Sequence, residues 1–124
     1  PFPTIISDYM INGTLESLLK DNSNKILPKH LTHSTKYIIL LGISLGMKYL
    51  HSLGIINRNL KPSHILLDQH HYPHISDFLS TSVSDTKLTQ MLLESEIPLY
   101  IAPEVFSGHP YTYKSDVYSF SYIL

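Results

Sequence analysis

Between Ile55 and Asp68 two apolar runs enclose a polar loop, Asn57-Arg58-Asn59-Leu60-Lys61-Pro62-Ser63-His64. Its Arg58 and Lys61 are cations of the kind that meet a phosphate. Further along, His70, His71 and His74 fall in or beside a turn. A His-x-x-His pair can bind zinc, but no carboxylate or fourth ligand stands in sequence to close such a site. Solvated turn histidines are the simpler reading. The stretch Ser80 to Ile97 carries Ser80, Thr81, Ser82, Ser84, Thr86, Thr89 and Ser95. Such a loop offers hydroxyls to phosphorylation, and a phosphate there could order it against Arg58. The plain alternative is a solvated loop.

These residues need elements to position them. Thr4-Ile5-Ile6-Ser7-Asp8-Tyr9-Met10 reads as a short strand, and Asn12-Gly13 turns the chain. Thr14 can cap a short helix over Leu15, Leu18 and Leu19. Asp21 to Lys29 is a polar surface connection. The spacing predicts the longest helix over Thr32 to Ser52, with Ile38, Leu41, Gly42, Leu45 and Tyr49 on its core face. Leu40, Ile43, Met47 and Leu50 widen that face and leave Ser44, Lys48 and His51 as a polar strip. Gly54 supplies a left-handed stop. Ile65-Leu66-Leu67 and His74-Ile75-Ser76, joined through Asp68 to Pro73, predict a hairpin.

Composition sets the outer limits. The 124 residues suffice for one domain with one core. An apolar fraction of 43% with 15% charged residues is globular but poor in charge. The formal net charge of -1 supplies no electrostatic reason to expect nucleic acid or an anionic membrane. With no cysteine there is neither a disulfide framework nor a thiolate metal site, which fits a cytoplasmic location. No secretory signal opens the chain, and the apolar stretch Tyr37 to Leu50 is too short and too interrupted to span a bilayer. Both ends read as cut: Pro1 precedes a strand-like run, and Leu124 stops within an apolar segment.

The polar loop resembles the catalytic loop of eukaryotic protein kinases, whose signature is H-R-D-L-x-x-x-N. Arg58, Leu60, Lys61 and Pro62 match; Asn57 stands at the His, Asn59 at the catalytic Asp and His64 at the metal-binding Asn. Asp77-Phe78-Leu79 resembles the D-F-G motif, with Leu79 in place of the glycine. A Cβ there narrows the loop's choice of conformations. Ala102-Pro103-Glu104 matches A-P-E, and Lys114 to Phe120 resembles the start of the long buried helix of the kinase helical lobe, capped by Ser115 or Asp116. The resemblance places Ser7 at the gatekeeper, Asp8 and Met10 at the adenine edge, and Leu66 among the nucleotide-binding positions. Tyr9-Met10-Ile11-Asn12-Gly13 and Asp116-Val117-Tyr118-Ser119-Phe120 look like the tyrosine-kinase-like group. The order and spacing of five segments make an unrelated α+β module an untenable alternative.

The resemblance implies an α+β, protein-kinase-like fold, mostly the helical C-terminal lobe and incomplete at both ends. Residues 1–13 would be the last N-lobe strand and hinge. Residues 14–124 would run through the activation segment to the start of the anchoring helix. In such a domain Asp77 holds the metal and Lys61 faces the transferring phosphate. Asn59 cannot accept a proton as a carboxylate does, and His64 offers nitrogen to an ion that prefers oxygen. Asn57 should pack more loosely than His against Phe78. Glu104 would lack its family partner, since the later helices are not in these residues. Uniform drift would have struck Leu60, Pro62, Ile65 or Glu104 as readily, so the pattern reads as relaxed demand for catalysis with the fold still required. The expectation is a catalytically impaired kinase, or pseudokinase, that regulates or scaffolds a protein partner. The alternative is an active serine/threonine kinase acting on protein substrates. ATP and Mg²⁺ are the implied cofactors; ATP would depend on a glycine-rich loop and strand lysine that these residues lack.

Overall fold

The computed structural model describes residues 7–20, 31–77 and 98–124. Among the described residues four α-helices and one two-stranded sheet form an α+β arrangement. The expected strand start Thr4-Ile5-Ile6, the connection Asp21 to Lys29, Phe78, Leu79 and the hydroxyl-rich run lie outside the described residues. Ser7 to Met10 is not a strand; it has no regular secondary structure and leads into a turn that Gly13 closes at φ 65°, its N–H on the Met10 carbonyl. That segment has no sheet neighbour among the described residues, so its alternation alone does not make a strand.

Helix α1 (Leu15–Lys20) starts at Thr14, whose Oγ1 accepts the Ser17 N–H at 3.0 Å while the Ser17 Oγ accepts the Thr14 N–H at 3.1 Å. Leu15 is buried, but Leu19 is exposed. Helix α2 (His33–Ser52) is the longest element, and Thr32 caps it by accepting the Thr35 N–H. It ends as expected: Gly54 sits at φ 76°, and the Ile55 N–H returns to the Leu50 carbonyl.

The buried stripe of α2 is Ile39, Ile43, Met47 and Leu50. Ile38, Leu41, Leu45 and Tyr49, read above as the core face, are exposed, Leu45 by 55%. Both stripes have helical spacing and lie about 150° apart on the helix, so periodicity could not choose between them. The hairpin chooses. Strand β1 (Ile65–Leu67) pairs antiparallel with β2 (Pro73–Ile75), Ile65 opposite Ile75. β2 lies against α2 where glycines leave room: a Cβ on Gly42 would come within 2.5 Å of the Pro73 ring, and one on Gly46 within 2.9 Å of Ile75 Cδ1. Ile65 and Leu67 point into the core with Ile43 and Leu60.

Helix α3 (Pro103–Phe106) and helix α4 (Tyr113–Ser121) complete the described chain. A second cluster of Ile101, Ala102, Val105 and Tyr111 packs with Ile56 and Tyr118. α4 begins earlier than expected, and Thr112 is its cap, in place of Ser115 or Asp116. Ser115 acts from the third helical position, its Oγ accepting the Thr112 N–H at 3.1 Å. No helix among the described residues is long and apolar enough to cross a membrane.

Candidate functional site

The polar loop leaves α2, meets α4 at Asp116 and enters β1 through a 3-10 turn at Pro62–His64. Leu60 and Pro62 are buried and pin its centre. Asp116 holds its start. That carboxylate is 1% exposed; Oδ2 accepts the Asn57 N–H at 2.8 Å and Oδ1 the Arg58 N–H at 2.9 Å. His51 Nε2 lies 2.8 Å from Oδ2, and its ring packs at a tilt against Tyr113. Two successive amides converge on one anion, and just beyond them Arg58 takes a left-handed backbone, φ 67°. A non-glycine residue there costs about 1–2 kcal/mol, which charge-assisted bonds can offset. Asp116 therefore shapes the loop instead of capping its own helix.

Within the loop, Asn57 is fully buried. Its Oδ1 accepts the Asn59 N–H at 3.0 Å, and its Nδ2 has no hydrogen-bond partner among the described residues. A buried amide donor left unpaired costs about 1–3 kcal/mol. The expected contact of Asn57 with Phe78 lies outside the described residues. Asn59 is half-buried, and its carbonyl meets His64 Nδ1 at 3.0 Å. A carbonyl only accepts, so Nδ1 carries a proton. Nε2 faces Asp77 Oδ2 across 3.7 Å. The structure thus brings together Asn59, His64 and Asp77, with Lys61 at the head of the 3-10 turn. Asp77, like Arg58, has a left-handed backbone, φ 51°. His64 is pinned from behind: its carbonyl accepts both the Ser76 N–H and the Ser76 Oγ–H.

The positions read as nucleotide-facing fall into two groups. Leu66 alternates with the buried Ile65 and Leu67, so it points away from the core and is half-buried. Thr14 bridges to Leu66, the Leu67 N–H meets the Gly13 carbonyl, and Asn12 Nδ2 donates to the Asp68 carbonyl. This ties the turn after Met10 to β1. Met10 is half-buried, whereas Ser7, Asp8 and Tyr9 are exposed.

Glu104 has a partner within these residues: Ser115 Oγ donates to its Oε1 at 2.9 Å. Ser119 Oγ donates to the Tyr100 carbonyl at 2.7 Å, so α4 also clamps the turn at Pro98–Tyr100. Sequence reasoning missed both bonds. The available signal was a run of small hydroxyls in a helix read as buried.

Among the described residues no group of three or more potential metal ligands occurs. Asp68 organises the turn. Its Oδ1 accepts the His70 and Tyr72 amides at 2.8 and 2.9 Å, and Oδ2 faces His74 at 3.5 Å. Partial burial raises the Asp68 pKa, but the two amides and His74 outweigh it and hold the carboxyl below its ordinary range.

Residues 2–124 match the family of protein tyrosine and serine/threonine kinases. A serine/threonine/tyrosine-protein kinase of Arabidopsis thaliana is 38% identical over 124 residues, which is 100% of this chain and 30% of that protein. An RGS domain-containing serine/threonine-protein kinase of Dictyostelium discoideum is 38% identical over 96% of the chain and 10% of its own length. A dual specificity protein kinase of the same organism is 33% identical over 98% of the chain and 18% of its own length. The chain thus spans less than a third of each of these relatives.

Proposed function

The chain belongs to the protein tyrosine and serine/threonine kinase family, and on that premise we propose that it is part of a catalytically impaired kinase domain with a regulatory or scaffolding role toward a protein partner. One observation carries this: Asn59 sits in a loop held in shape by Asp116 and Asn57, yet it presents an amide where the family signature has a carboxylate. An amide orients a hydroxyl but does not take its proton. Loss of a positioned general base costs about 10²–10⁴ in rate.

The family uses ATP with Mg²⁺. The pair His64 and Asp77 does not suit Mg²⁺, which demands oxygen ligands in octahedral geometry, whereas this pair supplies one imidazole nitrogen and one carboxylate. What remains for phosphate is Lys61, and for the adenine side Leu66 and the tied Met10 turn. These support retention of nucleotide as a ligand rather than rapid transfer.

The second reading, an active serine/threonine kinase, draws on Lys61 and Asp77 being kept. Phosphate transfer from Mg²⁺-ATP, measured on the full-length protein and normalised to folded material, separates the two. Turnover should be very weak. Asn59→Asp should recover part of the rate, and adding His64→Asn more than the sum, because both groups serve one transition state. Robust turnover by the unaltered protein, abolished by Asn59→Ala, would overturn the impaired-kinase reading.

A further inference from the structure

We propose that Asn12 is a positioning residue for a nucleobase: its side-chain amide fixes the turn after Met10 to the end of β1, and so sets where Met10 stands relative to Leu66. The inference rests on the kinase-family reading above, in which Met10 and Leu66 face the adenine ring of a retained nucleotide.

Two backbone bonds already join the turn to β1. The Asn12 N–H meets the Leu67 carbonyl at 3.2 Å, and the Leu67 N–H meets the Gly13 carbonyl at 2.8 Å. Both converge on Leu67, so by themselves they leave the turn able to pivot about that residue. Asn12 Nδ2 adds a third bond one residue further along, donating to the Asp68 carbonyl at 2.6 Å across 56 positions of the chain. A second point of attachment removes the pivot.

The acceptor is itself anchored. The Asp68 N–H donates to the Tyr72 carbonyl at 3.1 Å, and its Oδ1 accepts the His70 and Tyr72 amides. The hairpin turn therefore holds Asp68 from the far side. Leu66, two residues earlier, alternates with the buried Ile65 and Leu67 and stands away from the core. On the other side of the tether, the Gly13 N–H closes the turn on the Met10 carbonyl at 3.1 Å. Ser7, Asp8 and Tyr9 are exposed, so burial does not hold the segment before Met10. The two stretches that carry Met10 and Leu66 are thus joined through the Asn12 side chain.

A site whose walls stand in the bound arrangement before the ligand arrives avoids an ordering cost on binding. Loss of the tether restores that cost. The backbone bonds to Leu67 survive any replacement of the Asn12 side chain, so the variants remove the tether and leave the turn itself in place.

The test uses ADP and inorganic pyrophosphate as probes, titrated by calorimetry into the full-length protein. Asn12→Ala and Asn12→Asp should each weaken ADP by about three- to tenfold, the size of one hydrogen bond. Asn12→Asp should lose more, because a carboxylate facing the Asp68 carbonyl has no proton to donate. Asn12→His, whose Nδ1 is attached at the same remove from the backbone as the asparagine Nδ2, should restore ADP affinity to within about twofold. Pyrophosphate, which has no base, should bind equally to all four proteins. Ser17→Ala removes the acceptor of the Thr14 N–H and loosens the start of α1 without touching the tether, so its ADP affinity should be unaltered. ADP affinity unchanged in both Asn12→Ala and Asn12→Asp would overturn the proposal. So would an equal loss for pyrophosphate or in Ser17→Ala, since either would mean general loosening. An unaltered protein that binds no ADP would also overturn it, while the impaired-kinase reading, which concerns turnover, would stand. Robust turnover with a KM for ATP raised by Asn12→Asp would refute the impaired-kinase reading and support this one.

Discussion

Asp116 on α4 accepts the backbone N–H of Asn57 at 2.8 Å, joining positions 59 apart in the chain. With the neighbouring bond to Arg58, it makes the loop's left-handed step a property of α4 as much as of the loop. Asp116→Ala would leave two backbone donors without an acceptor, at about 1–3 kcal/mol each. The expected loss of stability is therefore about 2–6 kcal/mol. Amide exchange at Asn57 and Arg58 should accelerate more than exchange in the middle of α2. Equal acceleration at both places would mean that Asp116 supports the domain generally and does not shape the loop.

Gly42 and Gly46 should respond differently to alanine. Each replacement gains about 0.8–1.0 kcal/mol of helix propensity. At Gly42 the new Cβ meets the Pro73 ring at 2.5 and 2.7 Å, and a proline ring in a paired strand has little freedom to move. Overpacking of this kind costs about 1–3 kcal/mol, so Gly42→Ala should lower the unfolding midpoint. At Gly46 the obstacle is the end of the Ile75 side chain, at 2.9 Å, which can rotate away. Gly46→Ala should be near neutral. Equal losses in denaturant melts would show that β2 cannot adjust at either position.

Ser115 is buried, and its hydroxyl serves Thr112 and Glu104 together. Ser115→Ala should cost about 1–3 kcal/mol by stranding a cap donor and a carboxylate oxygen. Glu104→Gln keeps Oε1 as an acceptor and should cost less than about 1 kcal/mol. A larger loss in Glu104→Gln, read from thermal midpoints, would show that the charge of Glu104 is used by some other group.

The turn at Asp68 should be sensitive to acid. Its folded pKa is held below the unfolded value of about 3.9. The stabilisation is therefore present above that value and lost as pH falls through the folded pKa. Exchange at the His70 and Tyr72 amides should speed up between about pH 4 and pH 2 beyond the intrinsic trend. Asp68→Asn should remove that extra dependence. A profile unchanged in Asp68→Asn would assign the effect to another carboxylate.

Much of this protein was legible in its residues, because the relevant signals are local. Thr32 and Gly54 mark the ends of α2, the apolar runs around Asp68 mark the hairpin, and the ordered segments from Arg58 to Asp116 mark the kinase family. Asn59 and His64 could be read as departures because the neighbouring Leu60, Lys61 and Pro62 keep the register. What the tertiary structure alone decided involves partners far apart in the chain. Which stripe of α2 is buried depends on where β2 docks at Gly42, since apolar residues cover most of that helix and its period permits either face. Asp116 reads locally as a helix cap, and only the approach of α4 to the loop turns it toward Asn57 and Arg58. Glu104 gains Ser115 through the packing of α3 on α4. The proton on His64 Nδ1 follows from a bond to the Asn59 carbonyl, which no residue type encodes.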